Sequence, residues 1–286
     1  MQYRARIYAL FLVAIPVASF IGGPVSGALL HMHGMAGIAG WQWLYLIEGA
    51  PAVVIGLFML RLCDKPEQAK WLSAEEKRLV RAALNAETRD RPKHHFWAAL
   101  SDFRVVLVAL IQFSYTVGAY GVAIFLPMII KAQHFSNLTV GWIYAFPSLI
   151  SIVVMLVWAR IVDRSEQKML HLLAMCLISG LGLVLAVYAG SFPLAFAGLT
   201  AVVICTNSAR GVLWTIPTRF LTGLGAAAGL AFINSVGTIG GFVGPSIMGW
   251  LRSATGSFNA GLLALSGFMF LSVVLILVLR SFLAER

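Results

Sequence analysis

Eight apolar runs fill most of the chain, at roughly residues 7–30, 43–62, 104–130, 139–160, 169–190, 193–215, 224–251 and 258–280. At 1.5 Å per residue, each is long enough as a helix to cross a ~30 Å hydrocarbon core. The expected fold is therefore an all-α polytopic membrane protein with eight transmembrane helices. Composition agrees, since only 11% of the 286 residues are charged, against about 25% in soluble domains. A soluble protein with a large core is excluded.

The net charge of +10 lies mostly in short segments between the spans, with no basic stripe of the kind nucleic acid requires. If the chain starts inside, the inner segments collect Arg4, Arg6, the basic loop after Leu62, Arg160, Arg164, Lys168, Arg219, Arg280 and Arg286. The outer ones keep Lys131 and Arg252. The positive-inside rule then places both termini of this chain in the cytoplasm, and the protein in the inner (plasma) membrane. The first run follows Arg4 and Arg6 but is too long for a signal-peptide core, so it reads as a span. Cys63, Cys176 and Cys205 fit neither a zinc nor a redox spacing. No cofactor motif is found.

Residues 63–103 form one long hydrophilic loop, dividing the chain into a two-helix part (1–62), this loop, and a six-helix part (104–286). Ser73 and Glu76 form a capping box in the loop. Leu79, Val80, Ala83 and Leu84 follow on one helical face. This helix either lies on the cytoplasmic leaflet or is a solvated linker.

The stretch from Asn207 to Gly249 carries the most chemistry. Asn207, Arg210 and Trp214 stand at i, i+3 and i+7, on one face of an apolar helix. An arginine in such a span marks a substrate or ion path. Alternatively it snorkels, since Arg210 lies near the inner end of its span. The next helix carries Asn234 and then Gly237, Gly240, Gly241, Gly244 and Gly249, a face that lets backbones approach closely. Gln112, Thr116 and Tyr120 form a polar stripe on the third span, with Tyr115 close by; it should face a cavity or another helix. Glu48 is the one acidic residue inside an apolar span and reads as structural.

Gly23-Pro24-Val25-Ser26-Gly27 in the first span is echoed by Gly244-Pro245-Ser246-Ile247-Met248-Gly249 in the seventh. Six spans and a long loop fill the distance between them, the symmetry of a carrier made of two parallel six-helix halves. The eight spans then correspond to helices 5–12 of twelve. Four preceding helices are expected in the full-length protein.

These segments, with Gly40-Trp41-Gln42-Trp43-Leu44, Glu48-Gly49-Ala50-Pro51, Asp64-Lys65-Pro66 and Trp214-Thr215-Ile216-Pro217-Thr218, resemble the major facilitator superfamily. Within it they are similar to the anion:cation symporter family of organic-acid permeases. The resemblance implies a twelve-helix, two-half secondary transporter. It would carry small organic anions, carboxylates of the tartrate, phthalate or sugar-acid kind, together with protons by alternating access. It supports Trp214 and Asn234 as cavity residues. Where the family often has Gly-Pro-Phe-Trp this chain has Gly211-Val212-Leu213-Trp214, and the family does not account for Arg210.

The candidate substrate site is thus Arg210, Trp214, Asn234, Asn207, Tyr120, Gln112 and Tyr115. Asp163 and Arg164 lie in a loop resembling the superfamily's loop signature. Asp163 is expected to meet Arg4, Arg6 and the start of the first helix as an inner gate. The partners expected are the lipid bilayer, a small organic anion and protons. The competing reading is a non-transporting membrane scaffold or regulator.

Overall fold

The computed structural model describes residues 11–89, 102–217, 220–221 and 223–284. Nine α-helices lie among them: α1 Ala14–Leu29, α2 Gly40–Met59, α3 Ala74–Arg89, α4 Phe103–Lys131, α5 Asn137–Arg164, α6 Lys168–Tyr188, α7 Phe192–Leu213, α8 Gly223–Thr255 and α9 Asn259–Ala284. All but α3 are long and apolar enough to cross a membrane, making eight. No strand occurs among the described residues. The expected all-α polytopic fold is observed.

Local chemistry sets several ends. Asp102 caps α4, its carboxylate accepting from the Arg104 N–H at 2.9 Å and from the Arg104 guanidinium at 2.6 Å. Ser136 caps α5 through the Thr139 N–H at 3.1 Å. The Ser73–Glu76 capping box forms at α3: the Ser73 N–H donates to Glu76 at 2.8 Å, and the Glu76 N–H donates to the Ser73 hydroxyl at 3.3 Å. The Ser73 N–H, and after it the Ser73 hydroxyl, hold the Glu76 carboxyl below the ordinary glutamate range. The apolar face of α3 is bare where it is described, with Leu79 60% exposed.

The core lies in the unit α4–α9, in two clusters. One runs through Val105, Ile111 and Tyr115 to Leu172, Leu213 and Leu279. The other runs through Val117, Leu126 and Ile130 to Leu183, Met248 and Leu265. Glycines set the closest approaches. A Cβ on Gly240 would stand 2.5 Å from the Phe113 carbonyl oxygen, and one on Gly244 would strike that of Val117. The glycine face of α8 therefore packs on α4, the close contact expected of that spacing. Of the two-helix part, α1 docks on α5: a Cβ on Gly23 would meet the Gly141 carbonyl oxygen at 2.7 Å. Among the described residues α2 packs mainly on α1 and the turn after it. Glu48 accepts a 2.7 Å hydrogen bond from Ser26, tying α2 to α1.

Candidate functional site

α7 places Arg210 beside α4 through a buried tyrosine. Tyr115, 2% exposed, donates its hydroxyl hydrogen to the Thr206 carbonyl, one turn before Arg210. The Arg210 guanidinium lies next to that hydroxyl, with Tyr120 as a further neighbour. Among the described residues no carboxylate lies within ion-pair distance of Arg210. A guanidinium offers five donors in a planar fork. Here it has phenolic neighbours and an uncancelled charge.

Arg210, Asn207 and Tyr120 line one cavity of about 220 Å³, closed by Ile15 and Ser19 of α1, Tyr144 and Ser148 of α5, and Val203 and Thr206 of α7. The volume lies below the ~300–1,000 Å³ of drug-sized pockets. Its polar groups are one cation, one amide and several hydroxyls. Such a set can hold a carboxylate: the cation and amide N–H groups donate to its oxygens, and the hydroxyls serve ligand hydroxyls.

The other candidates are placed differently. Tyr115 does not line the cavity; its hydroxyl lies beside the Arg210 guanidinium. Gln112 is 9% exposed and packs against Gly237 of α8, its Oε1 buried without a hydrogen-bond partner. Thr116 bonds back to the Gln112 carbonyl at 2.6 Å and packs beside Gly240. The polar stripe of α4 thus faces a helix at Gln112 and Thr116, and the cavity at Tyr120. Trp214 is half-buried just past the last turn of α7, because the helix ends at Leu213. As the cap it is still in the helical region, with its N–H on the Arg210 carbonyl, but it is not among the residues lining this cavity. Asn234 is exposed on α8 and also lies outside that lining.

Asp163 and Arg164 are exposed in the last turn of α5. Their expected partners Arg4 and Arg6 lie outside the described residues. Ser19, Tyr144 and Ser148 were not anticipated from the sequence. Tyr144 and Ser148 stand at i and i+4 on α5, a signal of the same kind as the stripe on α4. Among the described residues no three His, Cys, Asp or Glu side chains converge as a metal would require.

Residues 2–231 match the Major Facilitator Superfamily. Two Agrobacterium vitis proteins, each provisionally assigned as a tartrate transporter, are 43% identical to the chain over 279 residues, 96% of it and 62–64% of their own length. A quinolone resistance transporter of Acinetobacter baumannii is 37% identical over 279 residues, 96% of the chain and 64% of that protein. The chain thus spans a little under two thirds of the length of these curated relatives. Eight apolar helices, a bundle held by glycine faces and a family match over most of the sequence lead to one conclusion: the chain belongs to the major facilitator superfamily.

Proposed function

We propose that this chain supplies the anion-binding part of a secondary transporter for small organic carboxylates, working by proton-coupled symport and alternating access. The observation that carries the reading is Arg210: a cation without a carboxylate partner among the described residues, beside Tyr115, on the wall of a cavity of about 220 Å³. Placing a charge in an apolar span is costly, and an anionic ligand offsets that cost each time it binds. The relatives' names fit, since tartrate is a dicarboxylate and quinolones carry a carboxylate on a fused ring. No described residue lining the cavity is acidic. In this reading the proton carrier therefore lies elsewhere in the full-length transporter. We place the protein in the plasma membrane with its C-terminus cytoplasmic, which a C-terminal reporter fusion tests.

The site is tested with L-tartrate on the purified chain in lipid nanodiscs. A charge-assisted hydrogen bond contributes about 1.5–3 kcal/mol, so Arg210→Ala should weaken binding by about 10- to 100-fold. Arg210→Lys should fall between, because lysine keeps the charge and loses the planar fork. Equal affinity in all three proteins removes Arg210 from the site.

A further inference from the structure

A second cavity, of about 700 Å³, opens between α1, α4, α5 and α8 at the end of the bundle marked by Lys131. Lys131 and Arg252 both line it. Each charge is held in place by a neutral partner. The Lys131 ammonium donates to the Phe135 carbonyl at 2.8 Å. The Arg252 guanidinium lies 4.5 Å from the centre of the Phe258 ring. Among the described residues neither has a carboxylate within ion-pair distance. Glu48 reaches the rim through its bond to Ser26 but does not line the cavity. Even counted in full it cancels one charge of two. The large cavity and the Arg210 cavity share two lining residues, Ser19 and Tyr144. The Tyr144 ring lies against α1, where a Cβ on Gly23 would stand 3.3 Å from it.

We propose that this vestibule is a separate capture site for small carboxylates: Lys131 and Arg252 hold the anion loosely before it passes Ser19 and Tyr144 to reach Arg210. The proposal rests on the carboxylate-carrier reading above and adds a second site to it. Three observations support it. Uncancelled charge in a cleft with low-dielectric walls focuses the field and raises the local concentration of counter-ions. The vestibule is much larger than a small acid, so an anion there keeps its water and binds weakly. The smaller Arg210 cavity strips that water, and there the hydrogen bonds count for more. Shared walls at Ser19 and Tyr144 set the two cavities side by side, so a ligand moving from one to the other passes these two side chains.

The test reads vestibule charge and tartrate binding separately. Ala132 is exposed and lines the vestibule. Cys176 and Cys205 are buried, and Cys63 is replaced by serine. In nanodiscs at low ionic strength, Ala132→Cys is labelled with an anionic sulfonate and a cationic trimethylammonium methanethiosulfonate. Each rate is divided by that of a free small thiol. The anionic reagent should be favoured about tenfold, the lower end of electrostatic focusing. That preference should vanish near 1 M salt, where the screening length falls to about 3 Å. It should vanish likewise on combining Lys131→Gln with Arg252→Gln. The same pair should slow L-tartrate association about tenfold in stopped flow and leave dissociation unchanged. Lys131→Gln alone, at an exposed residue, should give part of both effects where the double variant does not fold. Equal labelling by the two reagents, or tartrate association indifferent to both substitutions and to salt, overturns the capture site. A retained labelling preference with no effect of Arg210→Ala on tartrate binding overturns the Arg210 site and the onward passage, so the two failures are read from different measurements.

Discussion

α2 and α4 are both long apolar helices with one interior proline, Pro51 and Pro127, yet they are packed in opposite ways. In α4, 78% of the most apolar stretch is buried; in α2 none is. Hydropathy does not separate them; what differs is the partner each finds within this chain, which spans a little under two thirds of its relatives' length. α8 turns Gly240 and Gly244 toward α4, so backbone meets backbone. α2 has Gly49 and Gly56, but a Cβ on either would meet nothing within 4 Å. Val53, Val54, Leu57 and Phe58 of α2 are each more than 60% exposed. Apolar composition sends a helix into lipid, where lipid tails are as apolar as leucine. Close van der Waals packing, with interhelical hydrogen bonds, then decides which helices pair.

The largest effect expected from this contrast is at the α4–α8 seam. Gly244→Ala pushes a methyl group into the Val117 carbonyl, which is backbone and cannot swing aside. Overpacking of this kind costs about 3 kcal/mol. The midpoint of thermal unfolding in detergent should fall by several degrees or the protein should fail to accumulate. Gly56→Ala, the matching change in α2, should stay within about 0.5 kcal/mol. If both variants unfold alike, glycine packing is not what separates the two helices.

The α1–α5 contact falls between these extremes. Gly23→Ala meets the Gly141 carbonyl oxygen at 2.7 Å and the Tyr144 ring at 3.3 Å. The nearer clash is again with backbone, but the overlap is smaller than at Gly244, so a cost of about 1–2 kcal/mol is expected. Because Tyr144 borders both cavities, the same substitution should slow tartrate association while leaving the charge preference of the vestibule intact. Unchanged association would mean that Tyr144 does not stand on the ligand's route.

A smaller effect is expected at Gln112. Its Oε1 is buried without a partner, in contact with Gly237. Methionine has a similar shape and removes an unsatisfied acceptor, so Gln112→Met should be neutral or stabilising by up to about 1 kcal/mol. Tartrate affinity should not change. A loss of affinity would put Gln112 in contact with the ligand and restore the whole stripe to the cavity.

The spans and the Arg210–Asn207 pair were legible in the sequence because each rests on one local rule: length for a span, and a turn of spacing for a shared face. Trp214 marks the reach of that rule: it caps α7 in the helical region, with its N–H on the Arg210 carbonyl, yet it does not line the small cavity. A shared face does not say how far along the helix a cavity extends. Ser19 and Ser148 were illegible for another reason. A lone serine in an apolar helix usually bonds back to a carbonyl of its own helix, as Ser179 and Ser246 do here at 2.8 and 2.7 Å. Whether such a residue faces a cavity depends on which helix docks beside it, and the docking of α1 on α5 is a long-range choice made by Gly23 and Gly141.

The smallest effect belongs to α3, which like α2 has little packing to hold it. Its first turn depends on the Ser73–Glu76 box. Glu76 is held below the ordinary glutamate range mainly by the Ser73 N–H, then by the Ser73 hydroxyl. A carboxyl with a lowered folded-state pKa stabilises structure above its unfolded pKa, and that contribution is lost as pH falls through the folded value. Amide exchange at Ser73 and Glu76 should therefore rise as pH drops from roughly 5 toward 3, across the acid side of the ordinary value near 4.3, once corrected for intrinsic exchange rates. The interiors of α4–α9 should show no matching change, because their contacts are apolar and backbone-to-backbone; the first turn of α4, capped by the Asp102 carboxylate, is left out of that comparison. Glu76→Gln provides the control: glutamine can still accept from the Ser73 N–H but does not titrate. Its first turn should be protected equally at both ends of the range. If that variant frays with acid as much as the parent does, the pH response comes from elsewhere in the loop, and the order of α3 does not rest on its cap.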